Sequence, residues 1–170
     1  HHYYEFMDGT TSDTRIAQAL GAPFLGSCAF VRLRFSRPNS KEKITATIWC
    51  HHGTGNGIKV SAPLTKLENL MPYFDADIYL IGHQHKKVSA PIDQLYLTHK
   101  PPYKINYRTK IIACTGGFLQ GYMQGSKTTR AQGTYVERGM MNPVALGGIL
   151  LKVRPTYIKA GSRIDLAVEL

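Results

Sequence analysis

Two stretches decide how this chain folds: Ile44-Thr45-Ala46-Thr47-Ile48-Trp49-Cys50-His51-His52-Gly53 and Asp77-Ile78-Tyr79-Leu80-Ile81-Gly82-His83-Gln84-His85. Each is a β-rich apolar run that stops at glycine and histidine. Residues 77–81 are short and almost wholly apolar, the composition of a strand buried on both faces. Between the two runs, Pro63 to Phe74 places Leu64, Leu67, Leu70, Met71 and Phe74 on one stripe, and Pro63 suits the first turn of a helix. Strand, helix and strand in succession predict an α/β fold with mixed sheets.

The flanks agree. Upstream, Cys28 to Phe35 alternates, with Ala29, Val31, Leu33 and Phe35 on one face and Arg32 and Arg34 on the other. That is a half-buried strand, and the polar turn at 36–43 joins it to the 44–50 run as a hairpin. Thr14 to Leu20 reads as a short helix, with Asp13 to cap its start and Gly21 to end it. Downstream, residues 92–98, 111–115, 148–153 and 164–168 are strand candidates, and a long glycine-rich stretch occupies 116–148. No internal repeat is visible. The 170 residues are enough for one buried core, so residues 1–170 are read as a single domain.

Composition narrows the function classes. Hydrophobic residues make up 43% and charged residues 19%, which excludes a disordered tail. No apolar run reaches the length of about 18 that a transmembrane helix needs, so no membrane partner is expected. Three widely spaced cysteines, Cys28, Cys50 and Cys114, argue against a disulfide framework and for a reducing, cytoplasmic setting. The net charge is +10, and it is uneven: residues 1–85 hold 8 basic and 7 acidic side chains, residues 86–170 hold 13 and 4. Within 86–138 the bases Lys86, Lys87, Lys100, Lys104, Arg108, Lys110, Lys127, Arg130 and Arg138 are interleaved with tyrosines. That mixture suits a phosphate-rich partner, and equally describes a solvated basic face.

The histidines carry the chemistry. Ligands in α/β proteins gather at strand ends, where His51-His52-Gly53 and Gly82-His83-Gln84-His85 both fall. Taken as extended backbone, His83 and His85 project to the same side, a few Å apart, as ligands for one metal or two adjacent ones. Histidines that merely satisfy a buried polar network are the bland alternative.

Together these motifs resemble the last two of the calcineurin-like metallophosphoesterases: a histidine followed by glycine after one strand, here His52-Gly53, then glycine followed by His-x-His after the next, here Gly82-His83-Gln84-His85. Thr115 to Tyr122, then Gly133 to Gly139 and Pro143, resemble the tail of phage-type and prokaryotic members. The resemblance spans most of residues 14–153. It implies two mixed β-sheets packed as a sandwich with flanking helices. It also implies two divalent metal ions (Mn, Zn, Fe or Mg) at the strand ends and hydrolysis of phosphomono- or phosphodiesters, with nucleic acid or nucleotide as a substrate class. His52 and His83 would hold one metal and His85 the other, with His51 the runner-up to His52. Gly53 and Gly55 would keep the cleft clear and offer N–H groups to phosphate.

The family also uses an Asp-x-His, a Gly-Asp and a Gly-Asn-His that precede these motifs. None stands in this chain, and Asp8, Asp13, Asp75 and Asp77 lie in other contexts. The resemblance therefore implies the C-terminal portion of the fold, completed by another segment or chain, with His1 or His2 as the end of an Asn-His motif. The expected activity of the chain alone is low. A degenerate, non-catalytic module with a structural or nucleic-acid-binding role is the alternative.

Overall fold

The computed structural model describes residues 4–39, 41–55, 57–99, 101–122, 134–158 and 161–170. A helix α1 (Ser12–Ala19) precedes strands β1 (Cys28–Ser36) and β2 (Lys43–His51). Helix α2 (Ala62–Leu70) runs into a single 3-10 turn, Met71–Tyr73, and leads to β3 (Ile78–Ile81). Strands β4 (Lys87–Leu97) and β5 (Ile105–Thr115) follow, then a one-turn α3 (Tyr135–Arg138), β6 (Leu150–Ile158) and β7 (Gly161–Glu169).

Five strands form one mixed sheet in the order β1-β2-β3-β5-β4. Its centre is parallel, with β2 beside β3 and β3 beside β5, and both outer pairings are antiparallel. Strand β3 has two strand neighbours and a layer on each face, which accounts for its continuous apolar run. On one face α2 packs a core of Trp49, Leu67, Tyr79, Ile81, Ile112 and Cys114. Phe74, just past the 3-10 turn, stacks on Trp49 with ring centres 4.6 Å apart. On the opposite face Ile78, Ile111 and Ala113 meet Leu151, Val153, Leu166 and Val168 of the two-stranded β6–β7 sheet. The α/β class with mixed strands is as the sequence predicts, and the second sheet is small.

Local details differ from expectation. The α1 cap is Thr11, not Asp13: Thr11 and Thr14 exchange side-chain and backbone bonds in a capping box. Threonine at the fourth position does the work usually given to Glu or Gln. Helix α1 buries no residue, and Ile16 and Leu20 stay exposed. Strands β4 and β5 are both longer than their apolar cores suggest. Their pairing runs unbroken from Lys87↔Thr115 to Leu97↔Ile105, whereas β3 reaches only Ile111–Cys114 of β5. The outer half of this hairpin thus extends past Ile78, the first residue of β3. Among the described residues, no helix is long and apolar enough to cross a membrane.

Candidate metal centre

The parallel register of β2 and β3 sets Cys50 beside Leu80 and His51 beside Ile81. The next residues, His52-Gly53 and Gly82-His83, leave the sheet together at the carboxyl ends of its two central strands. The Gly82 amide continues the ladder for one more bond, donating to His51 O at 3.1 Å, and the His52 amide donates to Ser27 O at 2.8 Å.

The two loops touch because glycines let them. Gly53 has φ +93°, and a Cβ there would lie 2.7 Å from Gly82 O, 2.9 Å from Ile81 Cγ1 and 3.3 Å from His83 Cβ. Only a residue without a side chain fits this approach. The result is a pair of facing imidazoles. His83 Nδ1 is 3.2 Å from His52 Nε2, with ring centres 5.0 Å apart at 65°. His51 has a different role. Its Nδ1 accepts the Gly53 N–H at 2.8 Å, and its ring leans on Trp49. Of the two adjacent histidines, His52 is the one that meets His83. The same bond engages the Gly53 N–H, so the expected phosphate donor at that position is occupied and Gly53 serves the close approach instead. Gly55 also lies at positive φ, +78°, near the Lys66 ammonium that Thr54 binds.

His83 and His85 are not in extended backbone, so the same-side projection expected of them as alternate residues of a strand does not apply. Both lie in the left-handed region, at φ 64° and 55°, and the Gln84 amide turns back to Gly82 O at 2.7 Å. The strand ends at Ile81, so period-two alternation does not reach the motif. Left-handed histidines are uncommon, and such strain clusters at functional sites. The His85 ring rests on Gly117, where a Cβ would come within 3.0 Å of it.

The chemistry of this donor set fits one cation edge. A metal holding two imidazole nitrogens at about 2.0–2.1 Å in tetrahedral geometry separates them by about 3.3–3.4 Å. The observed 3.2 Å matches two neighbouring ligands of one ion. It is also the spacing of one imidazole donating to another. Among the described residues, no group of three or more His, Cys, Asp or Glu side chains converges to hold a metal. His1 and His2, proposed as the end of an Asn-His motif, lie outside the described residues.

Beside the pair, a cavity of about 470 Å³ is lined by His83, Gln84, His85 and Lys86 on one side and by Ile58, Leu119, Tyr122, Val136, Met141 and Val144 on the others. Sequence reasoning had no periodic signal for this wall, because it comes from irregular segments. Gln84 passed there as the unspecified middle of His-x-His. Two bases placed on the basic face also act otherwise. The Lys86 ammonium binds the carbonyls of Gly57, Ile58 (3.1 Å) and Lys59 (2.8 Å). Lys110 is buried, with Nζ donating to Tyr79 Oη at 3.1 Å. Lys100, Lys127 and Arg130 lie outside the described residues.

No family model, curated protein or solved structure matches this chain.

Proposed function

We propose that this chain is the C-terminal part of a calcineurin-like metallophosphoesterase domain, a metal-dependent hydrolase of phosphomono- or phosphodiesters. The observation that carries the reading is the His52–His83 pair, 3.2 Å apart at the carboxyl ends of adjacent parallel strands. The mixed five-stranded sheet facing a smaller second sheet is compatible with one side of that family's sandwich. His52 Nε2 and His83 Nδ1 would hold one divalent ion, and His85 would serve the second. When bound, such ions supply Lewis-acid polarisation of the phosphoryl group and acidify the attacking water. The chain's own part is positional. Gly53 and Gly82 fix the separation of the two loops, and the left-handed turns at His83 and His85 aim the rings. Carboxylates to balance two dications would come from another segment or chain, so the chain alone is expected to turn over slowly. A phosphate-rich substrate such as nucleic acid agrees with the basic excess in the second half.

The non-catalytic module is the second reading, favoured by the absence of a three-ligand group among the described residues. Cobalt titration separates the two. The wild-type chain should show a visible Co²⁺ spectrum, and His52→Ala and His83→Ala should each weaken binding at least tenfold. The tenfold figure is the scale of loss seen even for side chains that only support a ligand. Equal spectra and affinities in all three proteins would overturn the metal assignment.

A further inference from the structure

We propose that the cavity beside the histidine pair seats the organic half of the substrate, so that the preferred substrates are phosphate esters whose alcohol carries a compact apolar or aromatic group. The inference rests on the phosphoesterase reading, which puts the phosphoryl group at the histidines.

The sides of the cavity differ in chemistry. His83 and His85 line one side of a volume of about 470 Å³, an ordinary size for a small-molecule site. The other sides are largely apolar, and several of their side chains are open to solvent. Ile58 is 81% exposed, Leu119 47%, Tyr122 43% and Met140 89%. A single exposed apolar residue needs no explanation, but four around one concavity beside candidate metal ligands mark surface that a ligand covers. The charge on the histidine side has the sign that a phosphoryl group requires. Lys86 is the one fixed charge among the described lining residues, and none of them is a carboxylate. An anionic head is therefore not repelled there, and a cation on the histidines would supply its counter-charge.

The walls are built before any ligand arrives. Asn142 Nδ2 donates to Ile58 O at 3.0 Å and so joins two segments 84 residues apart. The Tyr122 hydroxyl donates to Met141 O at 2.7 Å. The Lys86 ammonium holds the carbonyls of Gly57, Ile58 and Lys59. Gly121 leaves no room for a Cβ against Val136, so the chain closes tightly there. Walls already fixed lose little freedom on binding. Met140 adds a further sign. It holds a left-handed φ of 46°, a strain that gathers at functional sites in residues other than glycine. Its thioether is pliable and lies well against a ring edge.

The experiment compares naphthylmethylphosphonate with methylphosphonate, which share the head group and resist hydrolysis at carbon. Each is titrated by calorimetry into the full chain in excess Co²⁺. The naphthyl compound should bind at least about tenfold more tightly, the scale expected for burying a ring of that size. Met140→Asn removes apolar wall but suits the left-handed backbone, so it should weaken the naphthyl compound by about threefold and leave methylphosphonate unchanged. Val144→Trp should fill the space and bring the naphthyl compound down to the level of methylphosphonate. Circular dichroism and melting of each variant would establish that it is folded. His52→Ala, outside the cavity wall, should weaken Co²⁺ and both phosphonates alike, with their ratio intact. Equal affinities of the two phosphonates for the wild-type chain, no measurable binding of the naphthyl compound, or a naphthyl preference unmoved by both Met140→Asn and Val144→Trp would overturn the pocket. Co²⁺ binding indifferent to His52→Ala would instead remove the metal reading, and the pocket would stand or fall on the ratio alone.

Discussion

Gly53 and His83 show how much of the site rests on backbone conformation. Gly53→Ala combines a left-handed φ with a Cβ 2.7 Å from a carbonyl oxygen. It should destabilise the chain by about 1–3 kcal/mol in urea melts and weaken Co²⁺ binding, because the two loops must part. His83 carries strain of its own at φ 64°. Replacing it removes a ring, and replacing it with glycine also relaxes the backbone. His83→Gly should therefore be more stable than His83→Ala by about 1 kcal/mol, while both lose the same cation affinity. A His83→Ala protein as stable as His83→Gly would mean that the turn is unstrained. This conformation is what the sequence conceals. The pattern Gly-His-Gln-His names the ligand candidates, but it does not record that the strand stops at Ile81. The facing of His52 and His83 depends on a contact between residues about thirty apart, which no local periodicity reports.

At the level of elements, legibility follows burial. The alternation of residues 28–35 and the apolar run at 77–81 appear in the structure as β1 and β3 because each is pinned by a sheet neighbour. The helix read over 63–74 is present as α2 with a 3-10 turn after it, since Pro72 cannot supply the amide that another α-turn would use. Leu67 shows what that helix contributes. It is fully buried against the sheet, so Leu67→Ala should cost about 2–5 kcal/mol in a denaturant titration. Ile16 of α1, which is exposed, should cost little on the same change. The expected strands at 92–98 and 111–115 fall short at different ends. The structure adds 87–91 at the inner end of β4, where Pro91 breaks the β pattern. It adds 105–110 at the outer end of β5, where Ile105 and Tyr107 are apolar yet exposed and burial does not bound the strand.

For the molecule as a whole, the thiol of Cys114 links core packing to pH. Burial, the larger influence, raises it above its ordinary 9.0, and hydrogen bonds from the Gly116 and Lys86 backbone oppose that only in part. The folded state thus favours the neutral thiol. Its contribution to stability is whole below pH 9 and is lost as pH climbs through the raised value. Unfolding free energy measured from pH 8 to 10.5 should fall for the wild-type chain and fall less steeply for Cys114→Ala. Identical slopes would show that the thiol does not titrate differently in the two states. The unequal strand lengths carry a different consequence. Because β4 and β5 run on past Ile78, the first residue of β3, the outer half of the hairpin has no β3 backbone beside it, and an exposed Arg108–Asp75 ion pair at 3.5 Å is a surface tie to the loop before β3. Amide protons near Leu95 and Tyr107 should exchange with deuterium well before those of Ile112 and Cys114. A short epitope tag inserted between the exposed Tyr103 and Lys104 should accordingly leave the melting temperature nearly unchanged, making the tip a grafting point from which the chain can be immobilised with its histidines undisturbed.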